Sequence, residues 1–400
     1  MSHYSFNKFE DSTLNTLTAK QGYYRVDDKF YNYKINALLE ASRTKKDVVW
    51  DFNYNIYSDQ AKRPRLNVPL DILYRERAQQ LREQYDYLII AFSGGSDSDT
   101  ILKTFLDNNI KIDEVWVDWH HTAIEKSNYK LNFNKDASNM PSEWFLVIKP
   151  ELDKLRISHS EIKIRISDSV EDVYTPLDNK NSCSIINDLG AVGGNLRRSN
   201  LEKYVQSISD DKTVAVVIGI DKVMPYSNEK EYGIIFSDTC TAWKSGGFEQ
   251  GDCVLEYFYW SPEFPEIVIE QGHLLWDHLL ANPEFTKMRM AAWVNGVDWL
   301  DRDKVFDNVI KAICYPKWDF SKHQVNKGKF HAGTAYSYLY KWKNKKLYQG
   351  HESFLTSYFN MIDDRFLDPQ GISVKELKFF YNFHKLGNMP SINIQETNVK

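Results

Sequence analysis

The sequence predicts an α/β protein. A parallel-sheet domain spans residues 87–245, with an N-terminal elaboration over 1–86 and a mostly helical region over 246–400. Three observations predict it. Residues 87–92 (YLIIAF) form a short continuous apolar run, as a strand buried on both faces would. The run breaks at a Ser/Gly-rich loop, residues 93–99, and then turns into a helical pattern. A second apolar run, residues 114–119 (EVWVDW), completes a strand–loop–helix–strand unit, which requires parallel pairing and a right-handed crossover.

Taken in order, the elements read as follows. Residues 46–57 hold enough Val, Trp, Phe and Tyr for a short strand. Over residues 66–86, Leu70, Leu73, Tyr74, Ala78, Leu81 and Tyr85 recur at helical spacing, while Arg75, Glu76, Arg82 and Glu83 lie on the solvated face. Pro69 suits the first turn of that helix. A helix follows the loop over 100–108, and further strands are expected at 160–166, 213–218 and 233–236. Another helix is expected over 196–208. From about residue 248 the pattern is helical, aromatic and punctuated by Pro262, Pro265, Pro283 and Pro316. The run EYFYW at 256–260 reads as core or interface, with one ring able to stack on a base.

Composition excludes several classes. At 42% hydrophobic and 26% charged, the 400-residue chain has the balance of a folded soluble protein. No apolar run approaches the ~20 residues of a membrane helix, so no membrane partner is expected. The N-terminal stretch MSHYSFNKFEDS has no apolar segment of a secretory signal. Cys183, Cys240, Cys253 and Cys314 are scattered without a CxxC pair, which fits a reducing, cytoplasmic setting and gives no zinc signature. A net charge of −5 gives bulk nucleic-acid binding no help.

The chemistry concentrates in residues 93–99, Ser-Gly-Gly-Ser-Asp-Ser-Asp. At the C-terminal edge of a parallel sheet, Gly94 and Gly95 let the backbone approach an anion. Ser93, Ser96 and Ser98 add hydroxyls, and the helix N-terminus adds about 0.3–1 kcal/mol for an anion. The loop has no Walker A lysine and is not GxGxxG. Asp97 is an anion in a phosphate cradle, which Mg²⁺ bridging it to phosphate oxygens would reconcile.

The segment Ser93-Gly94-Gly95-Ser96-Asp97-Ser98 resembles the SGGxDS signature of the PP-loop, or N-type ATP pyrophosphatase, superfamily, whose domain is HUP-like. The resemblance covers residues 87–120 well and reaches more weakly to about 240. Three stretches, LYRERAQQLREQYDYLIIAFSGGSDS, GIDKVMPY and EYFYWSPEFPEIVIEQGH, also resemble a group of PP-loop proteins encoded by large tailed bacteriophages, which would make the setting a host cytoplasm. The resemblance implies ATP and Mg²⁺ as cofactors and cleavage to AMP and pyrophosphate. A carbonyl or carboxylate oxygen of a small-molecule or nucleobase acceptor would be adenylated, then attacked by an amine, ammonia or sulfur nucleophile. No glutaminase-like nucleophile is evident, since position 2 is Ser.

Other positions carry two readings each. Asp118, at a strand end, either binds ribose or adenine or faces solvent. Asp221 and Lys222 follow the strand at 213–218: Asp221 as a metal or substrate ligand, Lys222 as a cation for departing pyrophosphate, or both as a solvated turn. Arg197 and Arg198, after Gly193 and Gly194, either clamp a phosphate or face solvent from a helix start. Asp238 is a weaker candidate at another strand end, and His120 and His121 read as loop residues. Residues 341–346 (KWKNKK) with nearby tyrosines read first as a solvated face and second as a nucleic-acid surface. The alternatives to an AMP-forming enzyme are a nucleotide-binding or sensing module without turnover, and an enzyme modifying tRNA or DNA bases.

Overall fold

A computed structural model describes residues 22–31, 34–119, 143–168, 204–205, 207–208, 211–220, 222–228, 230–238, 253–286, 299–322, 360–368, 376–377 and 380–390. The chain begins with β1 (Tyr23–Val26), β2 (Lys29–Tyr31), α1 (Lys34–Thr44), β3 (Val49–Asp51), α2 (Tyr54–Lys62) and α3 (Leu70–Gln84). The central unit follows: β4 (Tyr87–Ala91), α4 (Ser96–Asp107), β5 (Glu114–Asp118), a π-helical turn (Trp144–Ile148), α5 (Lys149–Ser158), β6 (Lys163–Ser167) and β7 (Val214–Ile218). Beyond it lie β8 (Met224–Ser227), β9 (Glu231–Ser237), β10 (Cys253–Tyr257), α6 (Glu266–Ala281) and α7 (Trp299–Cys314). Short strands β11 (Leu367–Asp368) and β12 (Glu376–Leu377) precede β13 (Tyr381–Asn388).

Five strands form one sheet in the order β10-β7-β4-β5-β6, and every pairing in it is parallel. The reason is legible in the side chains. β7 is Val-Ala-Val-Val-Ile and buried throughout, and the middle of β4 is buried likewise, so both faces of the sheet must be covered. Within this unit the first strand, β4, lies between the second and the fourth. The order therefore reverses direction between β4 and β7, giving a Rossmann-like α/β fold with its switch point there.

The helices cover that sheet by period. α3 buries Leu70, Leu73, Tyr74, Arg77, Ala78 and Leu81. Pro69 precedes the first turn as its cap residue, one position earlier than the sequence suggested. α4 begins at Ser96 rather than at residue 100, so half of the Ser/Gly loop is already its first turn. Two acidic residues there, Asp97 and Asp99, suit the helix N-terminus.

Residues 46–57 contain the expected short strand, β3, and Tyr54 onward is helical. Two other expectations change. The strand at 233–236 lies outside the parallel sheet, in an antiparallel sheet of order β13-β9-β8. The edge strand β10 lies beyond residue 245, so the anticipated division at 245/246 runs through the central sheet. The helix expected over 196–208 falls mostly outside the described residues. Among the described residues, no helix is long and apolar enough to cross a membrane.

Candidate functional site

The loop joining β4 to α4 sits at the switch point, where ligands bind in open α/β sheets. Its glycines have different reasons to be glycine. Gly94 has φ +78°, and a Cβ there would lie 2.8 Å from Ile148 Cγ1. Both backbone and packing exclude a side chain. Gly219, after β7, is constrained by packing alone: its Cβ would lie 3.0 Å from Asp97 Cβ. Gly95 is not constrained. It caps α4 at φ −76°, ψ 165°, an ordinary extended conformation, and a Cβ would meet only Ser93 Oγ at 3.6 Å.

The serines divide by role. Ser98 is buried and committed within the loop. Its Oγ donates to Gly95 O at 3.2 Å and accepts from Ser93 N at 3.1 Å. Its single proton is used internally, so Ser98 shapes the loop rather than offering a donor to a ligand. Ser96, also buried, donates to Asp97 Oδ1 at 3.3 Å. Ser93 is exposed, and Asp97 is half-buried.

A layer of aromatic side chains supports the loop from below. Tyr259 Oη donates to Asp97 O at 2.8 Å. Tyr74 Oη accepts from Gln271 Nε2 at 2.8 Å and donates to Cys314 O at 2.5 Å. Tyr259 packs between Tyr74 and Tyr315, at ring separations of 5.5 Å. Tyr257, Phe258, Tyr259 and Trp260 are all buried, so the aromatic run is core as expected. Burial, with Asp97 nearby, pushes the Cys314 thiol far above its ordinary range. It stays protonated, and Cys314 therefore offers no thiolate for sulfur transfer. Cys183 and Cys240 lie outside the described residues.

The remaining predicted residues scatter. Asp118 ends β5, half-buried, on the same sheet edge as the loop. Lys222, three residues past Gly219, directs its ammonium to Asp307 of α7 at 2.6 Å. Asp238 does not join the site. It lies beyond β9, with Lys34 Nζ at 2.8 Å and a hydrogen bond from Tyr24 Oη at 3.0 Å. Burial raises its carboxyl above the ordinary value despite Lys34. Asp221, Arg197 and Arg198 lie outside the described residues, as do Gly193, Gly194, His120, His121 and residues 341–346.

Several neighbours of the loop carried no sequence signal. Trp119, just past Asp118, stacks on Trp144 at 4.7 Å and 7°, with Phe145 edge-on at 6.2 Å. The same π-helical turn supplies the Ile148 contact over Gly94, and such turns recur at functional sites. Asp99, at 2% exposure, is held by Lys103 at 2.8 Å and by Lys322 at 2.9 Å. Lys322 also reaches Glu151 at 3.2 Å, fastening the stretch after α7 to α4 and α5. Among the described residues, no group of three or more His, Cys, Asp or Glu side chains converges as a metal cage.

No family model, curated protein or solved structure matches this chain.

Proposed function

We propose that the chain is an ATP-dependent enzyme of the AMP-forming type, with nucleotide phosphates held at the loop of residues 93–99. Gly95 carries the reading. Neither backbone nor packing demands a glycine there, since its conformation is extended and a Cβ would meet only Ser93 Oγ at 3.6 Å. A glycine at that point serves a group arriving from outside, and the helix N-terminus behind it favours an anion. The PP-loop resemblance of Ser93-Gly94-Gly95-Ser96-Asp97-Ser98 supplies the reaction class.

The residues fit Mg²⁺ in its usual mode, one or two carboxylates plus phosphate oxygens rather than a protein cage. Asp97, half-buried, would hold it, with Asp221 as the second carboxylate anticipated from sequence. Bound there, the ion would neutralise phosphate charge. Lys222, from the other side of the switch point, would stabilise the negative charge growing on pyrophosphate as the α–β bond breaks. Tyr259 holds the Asp97 carbonyl and thereby the register of the loop. The acceptor would be a carbonyl or carboxylate oxygen, adenylated and then released to an amine or ammonia. Protonated Cys314 gives sulfur chemistry no support.

The test is product analysis with Mg²⁺ and α-labelled ATP. Purified protein is offered pooled amino acids, nucleobases, tRNA and DNA, with ammonia present. The expected products are AMP and pyrophosphate, dependent on one pool. ADP as the labelled product would contradict the AMP-forming reading.

A further inference from the structure

α7 carries nothing in its sequence that marks it as part of a site, yet two of its charged side chains join Lys222, which follows β7 at the switch point. Asp307 Oδ1 lies 2.6 Å from Lys222 Nζ, and Asp307 Oδ2 lies 2.6 Å from Lys311 Nζ, one helical turn along. One carboxylate therefore spans two ammonium groups, each oxygen held by its own lysine. A phosphate group has the same requirement: adjacent anionic oxygens met by separate cationic donors. The lysines are also partly withdrawn from water, at 25% exposure for the Lys222 side chain and 12% for Lys311. Burial disfavours the charge on Asp307, but Lys222 and Lys311 outweigh it and hold the carboxyl below its ordinary value.

The position matters as much as the pairing. Lys222 leaves the turn that begins at Gly219, where a Cβ would lie 3.0 Å from Asp97 Cβ. Through Lys222 the lysine–carboxylate–lysine bridge is tied to the turn that follows β7, on the sheet edge that also carries the loop.

We propose that Lys222 and Lys311 form a two-lysine phosphate clamp, and that Asp307 is its resident anion, displaced when the terminal phosphates of the ligand arrive. The proposal rests on the nucleotide reading of the loop and adds two residues of α7 to it. Asp307 keeps the lysines apart and oriented in the free protein. It also sets a threshold, because a ligand must outcompete a carboxylate already in place. A single phosphate bound weakly elsewhere would not do so; a pyrophosphate moiety, with more charge and more oxygens, would.

The test uses the full chain, inorganic pyrophosphate with Mg²⁺, and calorimetric titration. Asp307→Asn removes the competing charge and keeps the shape, so pyrophosphate binding should tighten by about tenfold. Lys311→Met should weaken it by about tenfold, with the stem packing preserved. A bridge that only fastens α7 would give the opposite for Asp307→Asn: a lower melting temperature, with binding unchanged or weaker. That result in a folded variant overturns the clamp. If Asp307→Asn does not fold, Lys311→Met decides, and undiminished binding in that variant overturns it equally. ATP affinity that is sensitive to Gly95→Val, with no pyrophosphate response in either clamp variant, sinks the clamp alone. Loss of the Gly95 effect sinks the underlying nucleotide reading.

Discussion

Two regions of this molecule each present an aspartate after an apolar strand, and they behave as opposites. Asp97 follows β4 at the switch point of the parallel sheet. It is half-buried, and its carbonyl is braced by Tyr259. Asp238 follows β9 in the antiparallel sheet. It is 4% exposed and closed in by Lys34 and Tyr24. The same sheet buries His384 and Asn382 with partners of their own: Ser58 meets His384 at 3.0 Å, and Asn382 bonds the backbone of Trp50 and Phe52. A carboxylate at a strand end is thus a site candidate only where the topology opens a crevice. Where strands return antiparallel, the same residue fastens one layer to another.

The comparison can be broken in four ways, from the largest effect to the smallest. Asp97→Ala should abolish Mg²⁺-dependent ATP turnover while the melting temperature stays near that of the unmodified chain. Undiminished turnover in the folded variant removes Asp97 from the chemistry. Asp238→Ala should do the reverse. It leaves Lys34 mostly buried without its carboxylate, at a cost of about 3–5 kcal/mol in denaturant unfolding, and ATP affinity should not change. A weakened ATP affinity there would erase the distinction between the two aspartates.

His384 gives a sharper reading of the antiparallel sheet. Burial lowers its folded pKa to about 3 from 6.5. The folded state therefore keeps the ring neutral, and its contribution is fully present above pH 6.5. It is lost as the pH falls from 6.5 toward 3, at about 1.4 kcal/mol per pH unit. Unfolding measured from pH 7 to 4 should show that slope, and His384→Asn should flatten it. Identical profiles would mean the ring is not buried neutral. The smallest effect belongs to Tyr259→Phe. Losing its hydrogen bond to the Asp97 carbonyl should cost about 1 kcal/mol of stability and loosen ATP binding by a few-fold. An equal loss of stability with unaltered ATP affinity would confine Tyr259 to the core.

What the sequence made legible follows from range. β4, β5, β7 and the 93–99 loop are local patterns: buried apolar runs ending in turn residues. Each of the three strands lies within a residue or two of its expected place. The sequence places the start of α4 four residues late because Ser96-Asp97-Ser98-Asp99 reads as turn composition, although acidic residues suit a first helical turn. The pairings that complete the site are not local. Lys222 meets Asp307 across 85 residues, and Tyr259 meets Asp97 across 162. Nor does spacing reveal that Arg77 of α3 is wholly buried, with Glu256 at 2.7 Å across 179 residues. Burial of such a residue depends on a partner that periodicity cannot supply. Asp238 drew its weaker candidacy from the same limitation, since a strand end looks alike in sequence whether its sheet is parallel or antiparallel.

The most direct test of the central claim is the ATP affinity of Gly95→Val beside that of the unmodified chain, each measured with Mg²⁺ by calorimetry. A Cβ has room there in the free protein, so the folded state should survive, with only the modest fall in melting temperature expected when Val replaces a glycine N-cap. ATP affinity should fall by about 100-fold or more, because the branched side chain fills the approach to the backbone. Equal affinity in a folded Gly95→Val protein would contradict the phosphate cradle and the nucleotide reading built on it.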